Sequence, residues 1–279
     1  MLHGVYSKIY QEIVHDQVRM PSLPEAGARI QMALENPEFC QHKIARIIQT
    51  DPALTAYLIK MANSSFYRRW SPAKTAFAAV RSLGAKQVKH LAIVFTLRNS
   101  FKAKSPVIQS IMNELWHESA KVAAISYVLA SRCKGFKPDQ ALLAGLLRNI
   151  GVLPLLHQLD EKYQLIEINH VYSMLEKYAP LIGINVLQHW KLGDDVVAVA
   201  REAGNWFRDD KKSLDLADLV NIATIHAFMG TSKFKSVPRI MDIPAYDKLP
   251  FMQLTPENSL SILQEADDEI REIQQLLDS

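Results

Sequence analysis

Few residues in this chain have the types and spacing that chemistry requires. His117 and Glu118 are adjacent, but no second histidine follows at the right interval, so the helical two-histidine zinc pattern is not made. The nine histidines are scattered, with no pair at metal-ligand spacing. The acid pairs Asp194-Asp195 and Asp209-Asp210 fall at expected helix ends or loops, where capping and solvent account for them. No nucleophile-elbow serine, phosphate-cradling lysine loop or dinucleotide glycine fingerprint is present. Cys40 and Cys133 form no metal or redox spacing. What remains is Arg148-Asn149, set inside DQALLAGLLRNIGVLPLLH (Asp139–His157), the most apolar window of the chain. A charge in such a segment must face a partner, a cavity or water.

The element that carries this pair reads as a core helix. Leu142, Leu143, Leu146, Leu147 and Ile150 recur on one helical face, Pro138 suits a first turn and Gly151 an end. Further helices are expected over Leu2–Val18, Glu25–Leu34, His42–Gln49, Ala53–Ala62, Thr75–Leu83 and Lys86–Phe101. Asp51-Pro52 begins one of these, since Asp accepts from free N–H groups and Pro has none to lose; Asn63-Ser64 closes it, and Gly84 stops the next. Ser105-Pro106 repeats the cap ahead of a helix from Val107 to about Arg132, with a break expected near Asn113. Then come Glu161–Tyr178, Leu181–Lys191, Asp195–Trp206 and Leu214–Met229, an irregular Thr231–Gln253, and a final acidic helix opened by Thr255-Pro256. No strand pattern stands out, so the chain is expected to be all-α.

Composition sets the class. With 48% hydrophobic and 22% charged residues, 279 residues are enough for a large buried core. Nothing in the N-terminus reads as a signal peptide and no run reads as a membrane span, so a reduced cytoplasmic setting without membrane contact is the expectation. The net charge is only +3, but Pro52 to Asn113 holds no Asp or Glu. Arg68, Arg69, Lys74, Lys86 and Lys89, within the basic stretch that runs to Lys104, form a candidate partner surface. The acidic segment after Thr255 is a candidate to pack on it, or on a second copy of the chain in a homo-oligomer.

Three stretches carry a resemblance. They are SLPEAGARIQMALENPE (Ser22–Glu38), IIQTDPALTAYLIKMANSSFY (Ile47–Tyr67) and AVRSLGAKQVKHLAI (Ala79–Ile93). With LWHESAKVAAISYVLA (Leu115–Ala130) and ALLAGLLRNIGVL (Ala141–Leu153), the chain resembles the HDOD domain, an HD-related output domain of bacterial signalling proteins. The resemblance spans residues 20–230, with an N-terminal helical part 20–104 and an HD-like part 105–230, flanked by segments 1–19 and 231–279. It implies a multi-helical HD-domain-like bundle. In HD phosphohydrolases a His, an adjacent His-Asp pair and a later Asp hold a divalent metal that polarises phosphate and activates water. Here those positions map to His117, Arg148-Asn149 and Thr224, and two further histidine positions of some relatives map to Ala179 and Ala203-Gly204.

Arg148 brings a fixed positive charge to the place of a cation, and Asn149 is a weak neutral ligand. No catalytic metal and no cofactor are therefore expected. The foremost reading is a non-catalytic signal-transduction module acting by contact with another signalling protein. Asp51, Pro52, Asn63, Ser64 and Gly84 then specify the fold. A divergent metal-dependent phosphohydrolase is the alternative. A third reading is nucleotide or nucleic-acid binding through the basic surface, against which the aromatics do not alternate with basic residues as a stacking platform would. At the relic site Arg148 either pairs with a carboxylate or, with His117, holds an anionic ligand such as a nucleotide phosphate.

Overall fold

A computed structural model describes residues 25–36, 40–64, 67, 71–162, 168–249, 264 and 266–278. The expected helix over Leu2–Val18, Arg68 and Arg69 of the candidate surface, and the Thr255-Pro256 cap lie outside the described residues. The fold is all-α, with no strand among the described residues. The chain divides into two compact units, one of residues 22–100 with 275–279, the other of residues 1–21 with 101–274.

The smaller unit is built from α1 (Glu25–Glu35), α2 (Gln41–Gln49), α3 (Pro52–Asn63), α4 (Ala76–Leu83) and α5 (Ala85–Ser100). Their apolar stripes meet in a core of Ile30, Ile44, Ile48, Leu54, Leu58, Met61, Val80, Val88 and Leu91. The residues that carry the family resemblance do local work here. The Asp51 carboxylate accepts from Ala53 N at 2.9 Å and Leu54 N at 3.0 Å, with Pro52 at the first helical position. Asn63 mimics a backbone unit: its Nδ2 donates to Ala73 O at 2.8 Å, and its Oδ1 accepts from Ala73 N at 2.7 Å. Both amide groups are used, so the loop after α3 is tied back to the helix end. Ser64 Oγ donates to Met61 O at 2.7 Å. Gly84 has φ of 84°, in the region that a side chain resists, and so α4 can stop and α5 start one residue later.

The larger unit contains α6 (Pro106–Arg132), α7 (Pro138–Leu147), α8 (Val152–Lys162), α9 (Ile168–His189), α10 (Asp194–Arg201), α11 (Leu216–Phe228) and the four-residue α12 (Pro244–Asp247); α13 (Asp267–Asp278) begins in it and its last residues group with the smaller unit. Helices α6 and α7 form the most extensive pairing. Gly145 allows it, since a Cβ there would stand 2.9 Å from Ala123 Cα. Several sequence expectations are corrected. α6 runs unbroken through Asn113, because Ile108, Ile111, Met112, Leu115 and Trp116 keep one face buried across that position. The Ser105 side chain makes no cap bond; the Asp160 carboxylate of α8 accepts from Lys104 N and Ser105 N, both at 2.7 Å. The two helices expected on either side of Pro180 are one. Proline removes a donor there, but Val171, Met174, Leu175, Ile182, Val186 and Leu187 bury a continuous face through it.

The central apolar segment differs too. α7 ends at Leu147, and residues 148–151 form a tight turn of i→i+3 bonds before α8. Pro138–Glu161 as a whole is long and apolar enough to cross a bilayer, yet 89% of its most apolar window is buried inside the protein, as a core helix is. The segment after Thr231 is less irregular than its prolines imply. It holds 3-10 turns at Ser232–Ser236 and Ile240–Asp242, and it buries Ile243, Ala245 and Leu249. The acid pair Asp209-Asp210 is not merely solvated. Asp210 pairs with buried Arg208 at 2.8 Å, and Asp209 with Lys248 at 3.2 Å. Arg208 also holds Asp215, the cap of α11, at 2.7 Å and fully buried Asp218 at 2.8 Å. Burial works to raise the Asp215 pKa, but the Arg208 guanidinium, the Asp218 backbone N–H and Lys211 together hold it down to about 2.

Candidate functional site

The larger unit contains a half-open cavity of about 420 Å³. Four helices, α6, α8, α9 and α11, and three connecting segments build it, each for a local reason. On α6 the buried stripe runs Leu115, Ser119 and Val122, and Glu118 stands on it, only 12% exposed at its side chain. Leu147 ends α7, so Arg148 and Asn149 leave the helix together and both reach the wall. Gly151 sets the opposite wall: a Cβ there would come within 2.0 Å of Ala179 O, so only glycine lets this turn approach α9. That approach brings Glu176, Ala179 and Pro180 to the lining. Thr224 of α11 lines it with its hydroxyl turned back to Val220 O at 2.8 Å, which leaves the wall there neutral. Ala203 and Gly204 follow α10, and Lys233 comes from the 3-10 turn after α11.

Arg148, Asn149, Thr224, Ala179, Ala203 and Gly204 thus line one space. His117 does not. It lies on the exposed side of α6, and Glu118 takes the inward place one residue on. Helical periodicity carries that correction. Glu118 is three residues after Leu115 and four before Val122, whereas His117 shares its stripe with exposed Asn113.

The charges are matched. Arg148, buried at 7% exposure, donates through Nη2 to Glu118 Oε1. Lys233 Nζ donates to the other oxygen, Oε2, and lies 3.1 Å from Glu114. The Tyr172 hydroxyl donates to Glu114 at 2.7 Å. The Phe228 ring lies 5.9 Å from both the Arg148 guanidinium carbon and Lys233 Nζ. Burial works against the Lys233 charge, but its bonds to Glu118 and Glu114 prevail and raise its pKa. The Tyr172 hydrogen bond holds Glu114 below its ordinary value. Glu114 and Glu118 sit one turn apart on α6, a like-charge pair that Lys233 bridges. Lys233 left no signal in the sequence, since its segment has no periodicity.

A divalent metal needs several free anionic or imidazole ligands converging on one point. Here Glu118 is engaged by two cations, Asn149 and Thr224 are neutral, and His117 lies outside. The residues present do not fit that group. Among the described residues, no cluster of three His, Cys, Asp or Glu side chains could hold an ion. The candidate partner surface is also altered. Lys74 and Lys86 are exposed, but Lys89 is half-buried, and burial lowers its pKa while Glu35 supports its charge.

Comparison with known proteins places the chain in a family. The HDOD domain model matches residues 20–205. Among solved structures, the candidate metal-dependent phosphohydrolase from Shewanella amazonensis SB2B superposes with a TM-score of 0.81 at 25% identity, covering 99% of this chain and 98% of that one. An HDOD domain protein of unknown function from Geobacter sulfurreducens superposes with a TM-score of 0.66 at 19% identity, covering 99% and 98%. An uncharacterized protein of Treponema pallidum (strain Nichols) is 26% identical over 261 residues, which is 86% of this chain. The chain spans about half, 47%, of the length of that curated relative.

Proposed function

Since the chain belongs to the HDOD family, we propose that it is a non-catalytic regulatory module that acts by contact with a signalling protein. The observation that carries this reading is the Arg148–Glu118–Lys233 arrangement. A guanidinium cannot deprotonate, so it cannot make way for a cation without moving away from Glu118. It stands at the positions that the resemblance maps to the metal-holding pair of HD relatives, and it engages a carboxylate that a metal would need as a ligand. The competing reading, a metal-dependent phosphohydrolase, draws support from the name of the Shewanella relative. The donor set of the cavity speaks against it.

Hydrolysis of p-nitrophenyl phosphate by the purified chain with manganese is the direct test. Release no faster than with manganese alone is expected. Turnover lost in Glu118→Gln contradicts the proposal. For the contact surface, Lys74 and Lys86 are the exposed basic side chains of the described candidate set, within a span free of acids. Lys74→Glu with Lys86→Glu should lower recovery of a co-purifying protein several-fold at unchanged melting temperature, and unchanged recovery removes that surface.

A further inference from the structure

The open polar groups of the cavity are weighted toward acceptors. Its two cations, Arg148 and Lys233, already face Glu118 and Glu114. A third carboxylate, Glu176, lines the cavity from the exposed side of α9 and has no ion pair or hydrogen bond among the described residues. Lys177, the next residue, lies over the Tyr178 ring. These side chains together leave one uncompensated negative charge, at Glu176. Exposed Ser236 lines the same space, and its hydroxyl proton goes to Lys233 O at 2.7 Å, so its oxygen can only accept. The half-buried Asn149 amide has no partner among the described residues, and neither of its polar atoms is closed to solvent. Among the rings, Phe228 already has Arg148 and Lys233 beside it, and Lys233 lies 6.0 Å from Tyr172. Trp206 has no cation over it among the described residues.

We propose that this cavity binds a small organic monocation, a primary ammonium on a flat apolar body. An ammonium has three N–H donors and no acceptor, the complement of the Glu176 carboxylate with the Asn149 and Ser236 oxygens. Trp206 is the ring left for the ligand, and indole holds a cation more strongly than the other aromatic side chains do. A divalent metal would need more free ligands than one carboxylate supplies, and an anion would meet the charge of Glu176 unopposed. A volume of about 420 Å³ admits a one-ring amine. Glu118 keeps both its cations, so the ligand adds to the internal ion pair and does not displace it. The inference rests on the non-catalytic reading and deepens it, since the ligand gives that module an input.

The test is a titration of the full chain, in EDTA at neutral pH, with 4-fluorobenzylammonium followed by fluorine NMR. Saturable binding is expected. It should weaken about fivefold or more in Glu176→Gln, an exposed position where the change leaves the melting temperature as it is. Trp206→Leu should weaken it too. Glu25→Gln, which removes an exposed acid of the smaller unit, should leave it unchanged. The neutral 4-fluorobenzyl alcohol, the anionic 4-fluorobenzoate and the ringless n-butylammonium should all compete poorly. Absent saturation, parental binding by Glu176→Gln or by folded Trp206→Leu, an equal loss in Glu25→Gln, or displacement by any of the three competitors at equal concentration would each overturn the proposal. Manganese-dependent turnover reads Glu118 and not Glu176, so the ligand and the non-catalytic reading fail separately.

Discussion

Glu118 is the residue on which the candidate site depends. It holds two cations, and it and Arg148 are largely buried, so neutralising it leaves Arg148 buried without its anion. Breaking a buried pair on one side costs about 3–5 kcal/mol. Glu118→Gln should therefore lower thermal stability sharply. His117→Ala, one position away on the exposed stripe, should cost much less than Glu118→Gln. Comparable losses from both in denaturant melts would contradict the placement. His226 offers a second test. It is buried in α11 with no hydrogen-bond partner at either ring nitrogen among the described residues, and burial pushes its pKa down to about 4 from 6.5. The unfolded chain thus takes up a proton that the folded chain refuses. The contribution is full above pH 6.5 and is lost progressively as pH falls toward about 4, in total ~3 kcal/mol. His226→Leu should flatten the stability profile across that window, and an unchanged slope would remove the assignment.

At the level of elements, glycine and asparagine decide how close the helices come. Gly151→Ala would drive a methyl into Ala179 O, so the turn and α9 must separate. We expect a loss of about 1–3 kcal/mol and a cavity with altered binding; a variant as stable as the parent would show that this approach is soft. In the smaller unit Asn63→Ala removes two bonds to Ala73. A loss of about 1–3 kcal/mol is expected, measured by urea melts. Much at this scale was legible in the sequence. Asp51-Pro52, Gly84 and the leucines of α7 follow local rules of capping, φ and periodicity, and each gave an element close to the one found. Pro180 did not, because a local breaker was overruled by burial on both sides of it. Nor did the cap of α6, whose acceptor, Asp160, is supplied by another helix.

At the level of the molecule, the site was half legible. The Arg148-Asn149 pair stood out because charge inside an apolar helix demands a reason. The identity of its partner did not, since nothing in one strip of sequence says that Glu118 and Lys233, which are 115 residues apart, meet. A one-residue misplacement on α6 put His117 where Glu118 belongs, and for a metal that difference is decisive: an imidazole ligand gives way to a carboxylate already occupied. The same residues that fold an HDOD bundle are thus arranged around an internal ion pair. The most direct test of this account is a calorimetric titration of the chelator-treated chain with manganese. The account predicts no saturable heat, for the parent and for Glu118→Gln alike. A one-to-one isotherm for the parent that disappears in Glu118→Gln would show that the carboxylate is free to hold metal and would contradict it.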